Sequence, residues 1–368
     1  MPAGTLTLRQ INRATLARQM LLARERTPPL RAIERLVALQ AQWPRPPFLG
    51  LWSRLEGFER AHLTELFTRR TAVRATFLRA TIHVVSTRDF LSMRAALQPV
   101  LDAAMQGILR DRLAGLDLEA LVARARALLE ERPRTFEDLR DEFLRADPGA
   151  DERAIGYAVR MRLPLVQVPD AHASWAFPSQ ACFTPADTWL GRRVPVRPVP
   201  PDDLLLRYLA AYGPASARDF QAWSGVAPPD TRAAIERLDG RLQRFRDDQK
   251  HELFDLPDAP RPDADTPAPV RLVPEYDNVI TTRADERFVA RRHRPKVFLP
   301  ALRIAATVLV DGFAAGTWRL QVTRRTATVT IEPFAPFASR VKKEVLAETE
   351  ALARFAEPDA RAVEVRVV

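Results

Sequence analysis

Along this chain, apolar positions recur first with a helical period and then with a strand period, and that order repeats. Leu8, Ile11, Leu16, Met20 and Leu21 fall close to helical spacing, as do Ile33, Leu36, Val37 and Leu39, and a third helix is predicted over about 59–70. Residues 73–86 then turn β-rich, with Thr76-Phe77-Leu78 and Ile82-His83-Val84-Val85 predicted as paired strands. Thr87-Arg88-Asp89 caps a long helix predicted to reach about residue 113. A second group places helices near 117–132, 135–145 and 152–161 before strands at 163–168 and 174–177. The third has helices at 202–212, 216–224 and 229–238 before strands at 242–246 and 252–256.

Helices followed by a hairpin is the winged-helix order, in which the strand pair forms the wing and the third helix usually enters a DNA groove. The units are predicted over 1–116, 117–199 and 200–256; their repeat is structural, with no period in the sequence. Residues 257–269 carry five prolines among Asp and Ala, which is linker composition. Beyond them the pattern is mostly strand: 304–310, 317–322 and 327–331, then a helix over 339–355 and a strand over 362–367. The fold class expected is therefore α+β: three tandem winged-helix units followed by a small C-terminal β-barrel-like domain over 270–368.

Composition narrows the function classes. At 368 residues, 46% hydrophobic and 28% charged, the chain is long and apolar enough for several packed cores. A formal net charge of +10 points toward a polyanionic partner. Of the 56 basic residues only Lys250, Lys296, Lys342 and Lys343 are lysines, and arginine is the side chain suited to phosphate forks and stacking. Cys182 is the only cysteine, which excludes an intrachain disulfide, a Cys-rich zinc site and a Cys-ligated iron–sulfur cluster. The N-terminus lacks a basic-then-apolar signal segment and no apolar run reaches membrane-spanning length, so a cytoplasmic protein without membrane contact is expected.

The sharpest local feature is Leu39-Gln40-Ala41-Gln42-Trp43-Pro44. Positions two apart share a side only in an extended chain. Pro44, Pro46 and Pro47 push the preceding residues out of helix, so both amides are placed where a helix unwinds, facing one cleft. Taken alone, two glutamines at a helix end are ordinary caps or surface residues.

In its long context the motif carries more. Residues 35–44 and the following Gly50-Leu51-Trp52-Ser53-Arg54-Leu55 resemble the AlkZ-like winged-helix DNA glycosylases of the azinomycin-resistance type. Arg79-Ala-Thr-Ile-His83, Tyr212-Gly213-Pro214 with Trp223-Ser224-Gly225, Pro274-Glu275-Tyr276-Asp277-Asn278, and Val310-Asp311-Gly312-Phe313 with Gly316-Thr317-Trp318 are similar too. The resemblance covers essentially the whole chain. It implies winged helices around a DNA channel, excision of alkylated bases, and Gln40 and Gln42 as the catalytic residues. The middle position of the motif is here the small Ala41, a departure that bears on pocket shape.

The chemistry needs no strong base. An N-alkylated purine is cationic, so its glycosidic bond is already weakened and its departure leaves an oxocarbenium-like sugar. Oriented amides then have to hold water and stabilise charge. Glutamine is not a general base at neutral pH, and no lysine lies near the motif to form a Schiff base, so monofunctional hydrolysis is expected, without a cofactor.

Substrate contact is expected of Trp43 and of His83, for which a hydrogen-bonded structural histidine is the equal alternative. His62, His172, His251 and His293 are scattered, with no metal-binding spacing. Arg283, Arg287, Arg291, Arg292, Arg294 and Lys296 form a basic run, expected either as solvated surface or as an extended arm or hairpin on DNA phosphates. Arg324 and Arg325, with Arg319, form a second basic group. Asp248-Gln249-Lys250 imitates a nuclease spacing but falls at a wing turn, and no Gly-rich phosphate loop is present.

The expected function is thus a DNA glycosylase acting on cationic N7- or N3-alkylpurines in double-stranded DNA, with bulky adducts and interstrand crosslinks as candidate extensions of the same substrate class, and with no obligate protein partner. Its rivals are a non-enzymatic winged-helix regulator or lesion-binding protein, which needs the basic surface but no paired amides, and a scaffold binding nucleic acid through the C-terminal domain alone.

Overall fold

A computed structural model describes residues 4–113, 116–281 and 286–368. Within it, three helices followed by a two-stranded hairpin occur three times. The first group is Pro29–Leu36, Pro46–Trp52 and Arg60–Thr68, then Ala72–Thr76 with Ile82–Ser86. The short helix Pro46–Trp52 escaped the periodicity; it starts on two prolines, whose missing N–H groups cost nothing in a first turn. The second group is Leu118–Glu131, Phe136–Ala146 and Glu152–Arg162, then Leu165–Gln167 with Phe183–Pro185. The third is Asp202–Tyr212, Ala217–Ser224 and Pro228–Arg237, then Gln243–Asp247 with Glu252–Asp255. Side-chain caps open many of these helices, including reciprocal capping boxes at Thr135/Asp138 and Ser216/Asp219.

The helix expected to run from the Thr87 cap to about residue 113 is broken into Thr87–Met93 and Gln98–Leu109. Pro99 is the cause, since it has no N–H to offer and its ring clashes with the carbonyl four residues earlier.

The hairpins are not independent wings. Those of the first two groups fuse, through Ala75 opposite Val166, into a five-stranded sheet whose edge strands are Leu39–Gln40 and Phe183–Pro185. The third hairpin takes Thr5–Leu6 as a parallel third strand. Residues 5–18 therefore sit with the third group, where Arg18 forks onto Asp255 at 2.7 and 2.9 Å. Gly213 closes against that pair: a Cβ there would stand 2.5 Å from Arg18 Nη1 and 2.7 Å from Asp255 Oδ1.

Residues 257–269 are a strap rather than a loose linker. Their carbonyls at Pro260, Ala264 and Thr266 accept from Arg18, Arg9 and Arg13 of one helix. Beyond the strap, strands Arg271–Val273, Thr307–Val310, Phe313–Thr323, Thr326–Pro333 and Ala362–Val367 form a second five-stranded sheet. Helix Ser339–Ala356 packs on it through Val345, Leu352, Ala353 and Ala356. The barrel-like closure expected here is not what forms: among the described residues Arg271–Val273 and Ala362–Val367 are free edges, and the helix covers a face instead.

One apolar core joins the first and third groups, with Val37, Val85 and Phe90 packed together with Tyr208, Phe220 and Trp223. The Gln40 strand lies beside that junction, and the C-terminal part closes on it through Asn278 and Thr281.

Candidate active site

The chain enters the glutamine motif through a forced turn. After helix Pro29–Leu36, Val37 takes φ +69°, which costs a β-branched residue on the order of 1–3 kcal/mol, and its fully buried side chain holds it there. The next residues are extended, as the prolines implied. Leu39 and Gln40 pair with Val84 and His83, the Ala41 N–H donates to the Ile82 carbonyl at 2.7 Å, and Asn278 Nδ2 donates to the Ala38 carbonyl at 2.9 Å. Arg74 reaches across the sheet to the Ala41 carbonyl with Nε and Nη2, at 3.1 and 2.7 Å. Its Nη1 donates to Gln167 Oε1, and Phe177 lies 5.2 Å from the guanidinium.

Gln40 is 9% exposed and lines a crevice shared with Arg79, His83, Tyr212, Trp223 and Asn278. The crevice has a volume of about 10 Å³, the space of one water. Among the described residues no carboxylate and no lysine line it. Arg79 Nη2 donates to Gln40 Oε1 at 2.8 Å and Nη1 donates to the Trp223 carbonyl. Burial lowers the Arg79 pKa to about 10, so the guanidinium is charged at neutral pH.

His83 stands directly across from Gln40 and is buried. Desolvation, and after it the Arg79 charge, lowers its pKa to about 3, so the ring is neutral under physiological conditions. Nδ1 lies 3.0 Å from the Thr81 carbonyl, which only accepts; the proton is therefore assigned to Nδ1 and Nε2 is left as an acceptor.

Gln42 and Trp43 leave the sheet. Gln42 is exposed, and Arg74 Nη2 donates to its carbonyl at 3.4 Å. Trp43 is 59% exposed and walls a separate groove of about 410 Å³, with Glu275, Tyr276, Arg303 and Trp318 also lining it. The structure thus gathers Gln40, His83, Arg79 and Asn278 in one crevice and leaves Gln42 and Trp43 on the open side of the motif.

The basic run divides. Arg283 lies outside the described residues. Arg287, expected on DNA, is fully buried: Nη1 donates to the Tyr212 and Pro214 carbonyls at 3.3 and 2.8 Å, and Asp219 is 3.7 Å from Nη2. It is a structural cation that joins the C-terminal part to the third group. Arg291 and Arg292 are exposed on a 3₁₀ turn that continues into Arg294–Val297, so the segment is a short helical turn and not an extended arm. Arg294 stacks on Phe298, and Lys296 is exposed with Nζ 5.5 Å from the Phe334 ring. Arg324 and Arg325 are exposed at the tip of the Phe313–Thr323/Thr326–Pro333 hairpin, with φ of +48° and +65°.

Sequence reasoning missed Arg74 and gave Arg79 no role. The signal available was their position: a basic residue inside an apolar hairpin, beside His83.

Among the described residues no group of three or more His, Cys, Asp or Glu side chains is placed to hold a metal ion, and no helix is long and apolar enough to cross a membrane.

The family model described as DNA glycosylase AlkZ-like matches residues 33–355. The solved structure of Streptomyces sahachiroi DNA glycosylase AlkZ is similar in fold, with a TM-score of 0.77 at 20% identity, covering 99% of this chain and 100% of that one. No curated protein matches the sequence.

Proposed function

The chain belongs to the AlkZ-like DNA glycosylase family, and from that premise we propose that it hydrolyses the N-glycosidic bond of cationic N7- or N3-alkylpurines in duplex DNA, with Gln40 and Gln42 as the reacting amides. The observation that carries this reading is the chemistry of the Gln40 crevice: an amide, a guanidinium and a neutral imidazole, with no lining carboxylate among the described residues.

Among the described residues such a site has no acid to protonate a leaving base and no strong base to deprotonate water. A cationic purine requires neither. The electron pair of the breaking C1′–N bond neutralises the base as it leaves, and positive charge passes to the sugar. Water adds to C1′ and its proton goes to solvent. The amides contribute orientation and fixed dipoles, which act without reorganising. Among the described residues no lysine amine lines the crevice to trap the sugar, so the product is an abasic site on an intact strand.

The three helix-and-hairpin groups act as winged helices on the duplex, and exposed Arg291, Arg292, Lys296, Arg324 and Arg325 hold its phosphates. Trp43, exposed next to the motif, stacks on the extruded nucleotide. The groove of about 410 Å³ beside it gives room for adducts larger than methyl.

The test is substrate charge. Duplexes carrying N7-methylguanine or N3-methyladenine are expected to release free base, while matched duplexes carrying uracil, hypoxanthine or 8-oxoguanine release very little. The abasic strand is expected to break only after alkali treatment. Efficient release of neutral lesions that persists when Gln40 and Gln42 are both replaced overturns the assignment.

A further inference from the structure

The buried and half-buried arginines of this protein fall into two kinds. Arg18 and Arg54 fork onto Asp255 and Asp277, the usual way to carry a guanidinium in an interior. Arg79 has no carboxylate partner among the described residues. Its two hydrogen bonds go to neutral acceptors, the Trp223 carbonyl and Gln40 Oε1. The backbone that presents it is fixed in an unusual shape: Leu78–Ala80 forms a 3₁₀ turn in which Arg79 and Ala80 have φ of +52° and +58°. A strained, desolvated cation with no counter-charge is a poor stabilising device, and its position beside the glutamine motif suggests a different use.

We propose that Arg79 is a positioning residue, fixing the Gln40 side chain in one amide orientation. A glutamine amide turns about χ3 in a broad, roughly two-fold well, so its oxygen and nitrogen exchange places easily. A guanidinium 2.8 Å away ends that degeneracy, because the amide oxygen is attracted to it and the amide N–H groups are repelled. Gln40 then presents its Nε2 donors and the second lone pair of Oε1 in fixed directions. Trp223 anchors the guanidinium from the third group, so the first and third groups are coupled at the orientation of one amide. Arg74 does for the backbone at Ala41 what Arg79 does for the Gln40 side chain.

The kinetic arm of the test rests on the glycosylase reading, and a second arm does not. Single-turnover excision and DNA affinity are measured for Arg79→Ala, Arg79→Lys, Gln40→Ala and the doubles with Gln40→Ala. The expected result is a loss of up to about a hundredfold in rate for Arg79→Ala at unchanged affinity, because misplacing a reacting group by about 1 Å costs that much. No further loss is expected once Gln40 is alanine. Added guanidinium ion is expected to restore part of the rate to Arg79→Ala and none to the double variant. Additive losses, or weaker DNA binding with an unchanged rate, overturn the proposal and make Arg79 a direct substrate or phosphate contact. Should Arg79→Ala fail to fold, Arg79→Lys carries the same cycle, since an ammonium replaces the planar fork by a single point donor. In the second arm the Gln40 side-chain amide is followed by ¹⁵N NMR and assigned by its disappearance in Gln40→Ala. One sharp, slowly exchanging pair is expected in the wild type and a broadened one in Arg79→Lys; identical signals overturn the proposal. A wild type that releases no base sinks the glycosylase reading, while the amide signal still decides Arg79.

Discussion

Arg54 and Asp277 meet in two parallel hydrogen bonds of 2.8 Å, with both side chains removed from solvent. The pair joins the end of the helix that follows the glutamine motif to the segment carrying Asn278, which holds the Ala38 carbonyl. Removing one partner leaves an uncompensated buried charge, at a cost of about 3–5 kcal/mol. Asp277→Asn is expected to lose that much in urea unfolding; a loss under about 1 kcal/mol means the pair is replaceable.

His83 ties stability to pH. Its folded pKa, about 3, lies below the ordinary 6.5, so between these values the unfolded chain binds more protons. Its contribution to stability is full above about pH 6.5 and is lost as pH falls toward 3, with a slope of up to about 1.4 kcal/mol per pH unit. His83→Gln is expected to flatten the stability profile between pH 6.5 and 4.5. The excision rate should show no imidazole titration between pH 5.5 and 8, and a step in that range that vanishes in His83→Gln means the ring takes part as an acid or base.

Arg291 and Arg292 are the test of the basic surface. Both are exposed, and Arg291 has a Glu286 partner at 3.4 Å. Replacing both by Glu is expected to weaken binding to damaged and undamaged duplex alike. The slope of log affinity against log salt should become shallower by about 2, the loss of two phosphate contacts. An unchanged slope returns this turn to ordinary solvated surface.

Much of the architecture was legible because it rests on local signals. The final strand at 362–367 follows its alternation, and helix 339–356 follows its apolar stripe to within a residue. Long-range partners are what the sequence hides. The Pro-rich 257–269 stretch has linker composition, yet arginines about 250 residues away bind its carbonyls and make it a strap. Arg287 belongs to a basic run in the sequence, but its partners are the Tyr212 and Pro214 carbonyls, invisible to any local pattern. An open sheet covered by a helix and a closed barrel share the same strand periodicity, so alternation alone does not separate them. At the site, the extended course of the motif was legible from its prolines. The burial of Gln40 against Arg79 was not, nor was the exposure of Gln42, because both depend on the hairpin across the sheet.

The most direct test of the account is the single-turnover release of N7-methylguanine from duplex DNA by the wild type, Gln40→Ala and Gln42→Ala, with melting temperature and DNA affinity measured on the same preparations. Loss of one oriented donor or acceptor at the transition state costs on the order of 3 kcal/mol, about a hundredfold in rate. Each variant is expected to show a loss of that size while folding and DNA affinity stay nearly unchanged. Wild-type rates in both variants would contradict the central claim, because excision would then proceed without either amide.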